Sequence, residues 1–377
     1  MKYTLITHVP TYVAQSPGKV RVTASFHEDL VAQSAALGDR GFSLVLATPR
    51  HPAPDEKTLT REQFVDVRLA DIGVADAPLP PYRTMPQFVA ARAELETAIR
   101  GAIADAAVVQ LGAGGHPMAL GQFAWPLVDA ARQTRIFVFA GDPMPNRRKA
   151  ITSGRNPAKR LAKGLAVRSF DAFCRQAVGE ADLTFAHDPA VARRYSRAWN
   201  DRCHTFPTST IGDDEVDATR RSESRSGPLR VFAEASKSAT AGVDHVERAV
   251  AKAQRLGGEI VLTVGPLSPS AVDAADLIMA APLVPGEIPS IFLAAARGLP
   301  MLVYGSGVLD ADLAAHDAAV RVERGNVDRL ADALLSATRD RASLARIGRA
   351  ASVWAAANSR DAVHRRRAAL VRTLVGS

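Results

Sequence analysis

The chain has 377 residues, of which 47% are hydrophobic and only 6% aromatic; that suits roughly two domains with aliphatic cores. Its two cysteines, Cys174 and Cys203, exclude a disulfide-framed scaffold and fit a reducing compartment. The formal charge of +8 favours anionic partners such as phosphates, anionic lipid or nucleic acid.

The elements alternate from the start. Tyr3–Thr7 reads as a strand, and Ser25–Asp39 as a helix with an apolar face built on Leu30, Leu37 and several alanines. Ser25 and Glu28 have capping-box spacing, and Gly41 falls just past the helix end. Strands are expected at Ser43–Ala47 and Val65–Leu69. Pro78, Pro80, Pro81 and Pro86 then mark a loop before a helix at Gln87–Arg100. Ala107–Leu111, Arg135–Ala140 and Leu183–Ala186 read as buried strands. Helices are expected near Pro117–Arg132, Ala158–Val178 and Pro189–Trp199. Such alternation predicts an α/β fold with a parallel sheet covered on both faces.

The stretch Gly212–Gly227 is acidic, then basic, with few apolar residues, and reads as a connection between domains. A second alternation follows. Its strands are expected at Leu229–Ala233, Glu259–Val264, Asp276–Ala280, Pro300–Tyr304 and Ala319–Val322. Its helices are expected at Gly242–Leu256, Pro289–Arg297 and Val327–Thr338. A helical tail from about Asp340 to Leu374 is broken near Asn358. The longest apolar runs, Ile136–Ala140 and Ile260–Val264, are about a quarter of the roughly 20 residues that span a bilayer. His8 and Pro10 interrupt the N-terminal apolar stretch, so no signal peptide is read there, and the expected location is cytoplasmic.

The text GEIPSIFLAAARGLPMLV, from Gly286, resembles the donor-site strand–helix–strand of family 4 glycosyltransferases. VERGNVDRLADALLSATRDRASLARIGRAA resembles that family's later helix pair, and GVDHVERAVAKAQ the helix after the first donor-domain strand. AVGEADLTFAHDPAVARRY and HEDLVAQSAALGDRGFSLVLATP resemble acceptor-domain segments. The resemblance covers nearly the whole chain and rests on order and spacing. It implies the GT-B architecture, two Rossmann-like domains facing across a cleft. The acceptor domain is then expected at 1–210, the linker at 211–228 and the donor domain at 229–357, with a final helix at about 358–377 packing back on the first domain. Two family features differ. Where the family carries two glutamates eight positions apart, this chain has Pro285 and Leu293. Of the family's Arg and Lys before the donor-domain helix, only Lys237 is present, with Ser236 near the Arg position.

The implied chemistry is glycosyl transfer from a UDP- or GDP-sugar, with retention of configuration, to a glycan, lipid-linked or other hydroxyl acceptor in polysaccharide assembly. The nucleotide sugar is a co-substrate; no cofactor is expected. The helix start at Gly286, Glu287, Ile288, Pro289 and Ser290 would offer free amides and its dipole to a diphosphate. Glu287 would bind a ribose or sugar hydroxyl, and Lys237 a phosphate. Gly18, in a turn after the first strand, would approach the donor phosphate. His116, in QLGAGGHP, and Asp142, in FAGDP, lie at sheet ends and are the candidate catalytic pair, with His8 a weaker candidate. No metal site is expected.

The cations Arg147, Arg148, Lys149, Arg155, Lys159, Arg160 and Lys163 crowd one segment. They read either as a solvated face or as a surface for an anionic membrane or acceptor, which would make the protein peripheral at the inner membrane face. Nucleic acid is disfavoured because no aromatic platform accompanies the arginines. A second reading is a GT-B-fold binding or scaffolding protein with weakened catalysis.

Overall fold

The computed structural model describes residues 1–54, 56–59, 62–114, 119–144, 157–187, 189–216, 226–235, 242–283, 289–305, 313 and 316–376. The chain forms two compact units: Met1–Phe206 with His364–Ser377, and Pro207–Val363. Of the connecting stretch read from the sequence, 217–225 lies outside the described residues.

The first unit is built on β1 (Lys2–Ile6), β2 (Thr11–Val13), β3 (Val20–Thr23), β4 (Ser43–His51), β5 (Phe64–Val67), β6 (Val74–Leu79), β7 (Ala106–Gly112), β8 (Thr134–Phe139), β9 (Leu183–Ala186) and β10 (Cys203–Thr205). The sheet runs β10-β9-β8-β7-β1-β4, and these strands pair in parallel. β6 pairs with residues 44–49 of β4, and β2 with its end at 50–51. Parallel strands need crossovers, which put helices on both faces and bury the strands almost throughout. The central residues Val108–Leu111 of β7 are accordingly all buried.

The covering helices start with local caps. Thr23, one residue before α1 (Ala24–Gly38), accepts a hydrogen bond from the Phe26 amide at 3.4 Å. The cap is thus Thr23 and not Ser25, which lies inside the helix. Thr84 and Gln87 form a reciprocal capping box on α3 (Met85–Ile103), following the short α2 (Glu56–Leu59). α5 (Pro157–Glu180) contributes Phe170, Phe173, Cys174, Ala177 and Val178 to the core. There Trp125, Phe137 and Phe173 meet edge to face, with ring centroids 5.5–6.2 Å apart.

Three further sequence expectations are corrected. The third strand of the parallel sheet is β6, not the segment at Val65–Leu69. β5 instead pairs antiparallel with β3, and Leu69–Ile72 is a 3-10 turn. The prolines read as a loop hid β6, yet Pro78 is tolerated because, among the described strands, β6 pairs only with β4 and Pro78 can turn its missing N–H outward. The helix expected at Pro117–Arg132 is the five-residue α4 (Leu120–Ala124), which tightens into a 3-10 turn at Trp125–Leu127 around Pro126. Its first positions, 117 and 118, lie outside the described residues. The helix at Pro189–Trp199 stops as α6 (Pro189–Arg194).

The second unit is a five-stranded parallel sheet ordered β12-β11-β13-β14-β15. The strands are β11 (Leu229–Glu234), β12 (Ile260–Gly265), β13 (Leu277–Ala280), β14 (Met301–Tyr304) and β15 (Val320–Val322). Side-chain alternation splits its core between two faces. Phe232, Ile278, Met301 and Val303 pack with α9 (Pro289–Ala296) and α11 (Arg341–Ala357), where Phe292 and Trp354 lie 5.2 Å apart. Val231, Leu277, Met279, Leu302 and Tyr304 pack with α7 (Val243–Arg255) and α10 (Val327–Arg339). A short helix, α8 (Pro269–Ala274), joins β12 to β13. α9 ends at Gly298 (φ +63°), and a Cβ on Gly348 of α11 would lie 2.3 Å from the Gly298 carbonyl oxygen, so the two backbones touch.

The last helix, α12 (Arg360–Gly376), belongs to the first unit from His364 onward and roofs a polar cluster there. His364 Nε2 lies 2.8 Å from Asp29 Oδ1. The buried Arg367 guanidinium sits 4.8 Å from the Phe185 ring centroid, and its Nη2 donates to Gln110 Oε1 at 3.4 Å. Tyr3 Oη donates to the same oxygen at 2.5 Å. Among the described residues His187 Nε2 is buried without a hydrogen-bond partner. Burial, then the Arg367 charge, depress the His187 pKa to about 4, with Asp29 opposing and His364 adding to the shift. Desolvation pushes the Asp29 carboxyl upward, but the His364 hydrogen bond and nearby cationic groups outweigh it and hold the carboxyl low.

His187 is therefore neutral when folded, and the unfolded chain takes up its proton first as pH falls from the ordinary 6.5. Stability is complete above that pH and declines toward pH 4, by up to roughly 3 kcal/mol from this group. Melting temperature measured at about pH 7 and about pH 5 should fall less for His187→Gln than for the parent chain. Equal falls would mean that His187 carries no part of the acid sensitivity.

Candidate functional site

In an open parallel sheet, ligands bind beyond the carboxyl ends of strands where the strand order reverses. Each unit has one such point. In the second unit β11 lies between β12 and β13, and the reversal falls between β11 and β13. The chain leaving β11 carries Lys237, and the chain leaving β13 carries Gly286, Glu287 and Ile288; all four lie outside the described residues. The two connections meet where they are described. Gly242, which opens α7 at φ +68°, abuts Ala281, the residue after β13. A Cβ on Gly242 would lie 1.9 Å from the Ala281 carbonyl oxygen. Only glycine fits both the left-handed backbone and this approach.

α9 begins at Pro289 and Ser290, directly after the Gly286–Ile288 segment. Proline suits a first turn because its missing N–H has no helical partner there. Leu293, at a position where the resembling family has a glutamate, packs partly buried against the core. Around the same sheet edge are two features the sequence reading missed. His245 Nδ1 lies 3.1 Å from the Tyr304 hydroxyl at the end of β14, and burial raises the pKa of that phenol. Arg324, just past β15, donates from Nη2 to the Gly305 carbonyl at 2.6 Å, while its buried Nε has no partner among the described residues. Nothing in the local sequence marks these pairings, which join residues 59 and 19 positions apart.

In the first unit the reversal falls between β1 and β7. His8 follows β1, and Gly112–Gly114 close β7. The His8 ring lies so near Gly114 that a Cβ there would come within 1.9 Å of Cε1. Likewise a Cβ on Gly121 of α4 would lie 2.3 Å from the Gly112 carbonyl oxygen. Of the glycines in QLGAGGHP, Gly114 therefore sits in close contact, with the His8 ring. His116, two residues beyond Gly114, lies outside the described residues.

Asp142 follows β8 at the same edge. Its carboxylate accepts from Arg194 of α6, with Nε 3.0 and 2.9 Å from its two oxygens and Nη2 2.5 Å from Oδ2. It also accepts from the Met144 amide at 3.0 Å. The fork holds the carboxylate in one orientation, and the bond to Asp142 raises the Arg194 pKa. Sequence spacing gives no hint of this partner, 52 residues away.

Gly18 does not follow β1 directly. The hairpin of β2 and β3 intervenes, and Gly18 sits in its turn at φ +73° with open space where a side chain would be. Of the basic segment, Arg147, Arg148, Lys149 and Arg155 lie outside the described residues, as does the side chain of Lys159; Arg160 and Lys163 are exposed on α5. Among the described residues no group of three or more His, Cys, Asp or Glu could hold a metal ion. An open pocket of about 390 Å³ lies at the opposite end of β7, between Arg100, Asp105, Asp129 and Arg132. Its Gln133 already donates to the Ile103 and Ala106 carbonyls, and the pocket is remote from the reversal points.

No family model matches the chain, and no curated protein matches it in sequence. Its structure is similar to that of solved glycosyltransferases. One from Rickettsia africae shares 12% identity and a TM-score of 0.66, covering 99% of this chain and 98% of that one. HepE of Anabaena, solved in complex with UDP, shares 13% identity and a TM-score of 0.61 over 99% and 100% of the two chains. WaaG, a glycosyltransferase involved in lipopolysaccharide biosynthesis, shares 13% and a TM-score of 0.54 over 97% and 98%. The chain has the GT-B fold, two parallel α/β units of Rossmann type.

The Gly242–Ala281 contact can be tested against a control. Gly257 has an equally left-handed φ of +88°, but a Cβ added there would meet nothing within 4 Å. Gly257→Ala should cost roughly 1–2 kcal/mol from backbone conformation alone. Gly242→Ala should cost a further roughly 1–3 kcal/mol from overpacking, read by denaturant unfolding. Equal losses would mean that the two loops are not in contact.

Proposed function

We propose that the protein is a glycosyltransferase that binds a nucleotide-diphosphate sugar on its second unit and an acceptor hydroxyl compound on its first. The observation that carries this reading is the reversal point between β11 and β13, where Gly242 and Ala281 bring together the connections bearing Lys237 and Glu287. A helix start at this edge meets a diphosphate with unpaired amides and a positive dipole end. The HepE structure holding UDP has the same fold, which supports a nucleotide-sugar donor, proposed to be a uridine or guanosine diphosphate sugar.

In this reading the amides opening the segment Gly286, Glu287, Ile288, Pro289 and Ser290 receive the diphosphate. Proline contributes none, and Ser290 adds a hydroxyl. Lys237 offsets one phosphate charge. Glu287 accepts a hydroxyl of the ribose or sugar. As the bond from the anomeric carbon to the leaving oxygen lengthens, negative charge grows on the diphosphate. Amides and an ammonium already in position stabilise that charge more than the ground state. His116 is the proposed partner of the sugar's developing charge. Asp142, held in one orientation by Arg194, is the proposed carboxylate on the acceptor side.

The acceptor is proposed to be a glycan or lipid-linked hydroxyl compound in polysaccharide assembly, met at an anionic membrane surface by a peripheral, cytoplasmic protein. Among the described residues no helix is long and apolar enough to cross a membrane. A second reading is favoured by Leu293 and Pro285, which stand where the resembling family has glutamates. It is a binding protein on this fold that holds the nucleotide without turnover.

A thermal-shift series with uridine, guanosine and adenosine diphosphates and their sugars tests the donor assignment, because a ligand of the folded state raises its melting temperature. One diphosphate should raise it, and Lys237→Ala should weaken that ligand roughly tenfold, about 1.4 kcal/mol. Release of free nucleotide in the presence of acceptor separates the enzyme from the binding protein. No shift with any of the nucleotides would end both readings.

A further inference from the structure

We infer that the first half of α5 is a membrane-docking element that inserts Leu161 and Leu165 into a bilayer containing anionic lipid. The inference deepens the reading of the first unit as the half that meets a lipid-linked acceptor, and rests on it for its biological role. The helix has two unlike halves. From Phe170 onward it packs Phe170, Phe173, Cys174, Ala177 and Val178 into the core. Before Phe170 it packs very little. Ala158, Arg160, Leu161, Ala162, Lys163, Leu165, Ala166, Arg168 and Ser169 are all exposed.

The leucines do not belong to the core-facing side. Leu161 precedes Phe170 by nine residues, two and a half turns, and so points the opposite way. Leu165, four residues on, lies beside Leu161 on the same side. Leu161 is 67% exposed and Leu165 58%. An isolated exposed leucine calls for no explanation, but here two adjoin, with Ala158 and Ala162 beside them.

Charge singles out the occupant. Between Asp142 and Asp171 the sequence holds eight Lys or Arg and no acid. Arg160 and Arg168 lie beside the leucine pair on the helix itself, while the exposed Lys163 lies on the far side, nearer the line of Phe170. An anionic bilayer surface supplies phosphates for the cations and hydrocarbon for the leucines, the combination that holds helices in the interfacial plane. A nucleic acid would engage the cations and leave the leucines in water.

The test uses the full chain with phosphatidylcholine vesicles, with and without phosphatidylglycerol, in a flotation assay across a salt series. The parent protein should float with the anionic vesicles and progressively less as salt rises. Leu161→Gln with Leu165→Gln should lower the partition constant roughly tenfold or more while keeping the salt slope. Arg160→Gln, Lys163→Gln and Arg168→Gln together should lower it and flatten the slope. Val353→Gln, which removes a 66% exposed side chain from α11 of the second unit, should change nothing. Unchanged melting temperatures would show that every variant folds. The proposal is overturned if the parent does not float, floats equally with neutral vesicles, or floats undiminished without its leucines. It is also overturned if the segment binds generic DNA in preference to vesicles. Nucleotide-induced thermal shifts on the same samples report on donor binding separately, so loss of one result leaves the other standing.

Discussion

Parallel strands cannot be joined by hairpins, so each must be followed by a crossover, and each crossover leaves from the same edge of the sheet. That constraint gathers the connections of both units at carboxyl edges. Reversal of strand order then parts two neighbouring connections in opposite directions and leaves room for a ligand. In the second unit the room is bounded by Gly242 against Ala281; in the first, by His8 against Gly114. The first contact needs a glycine, because any side chain there would strike the neighbouring backbone; at the second, a side chain would have to displace the His8 ring. The glycines thus set how closely the connections approach, and through that the shape of each candidate ligand site.

The candidate groups differ in how they are held. Asp142 is fixed by a two-pronged bond to Arg194, and the Tyr304 hydroxyl meets a ring nitrogen of His245. The start of α9 instead offers main-chain amides, which need no side-chain identity to bind phosphate. In the proposed reading this accounts for a chain that keeps the architecture while carrying Pro285 and Leu293 where the resembling family has glutamates. On that reading the fold supplies the anion site, and the missing carboxylates bear on hydroxyl recognition and on rate.

Much of the fold was legible in the sequence because buried strands such as Ile136–Phe139 and Leu277–Ala280 are continuous apolar runs flanked by amphipathic helices. β6 was not, since Pro78 reads as a breaker wherever the edge position of a strand is unknown. The hairpin of β2 and β3 escaped because strands of three and four residues give too little periodicity. The α1 cap was displaced to Ser25 because Thr23 closes a strand and caps a helix at once. At the candidate site, the place of Asp142 just after a strand could be read from the apolar run before it, whereas Lys237 and Glu287 lie outside the described residues. Arg194, the Tyr304–His245 pair and the His8–Gly114 contact could not, because tertiary structure alone brings these distant residues together.

The central claim is that the reversal point between β11 and β13 receives a nucleoside diphosphate. Hydrogen exchange of the full chain, with and without uridine or guanosine diphosphate, tests it most directly, because a bound anion must slow the amides that hold it. The account predicts protection in peptides covering Lys237 to Gly242 and Gly286 to Leu293, with the amino ends of β11 and β13 unaffected. Protection confined to other segments, or none with either nucleotide, would contradict it.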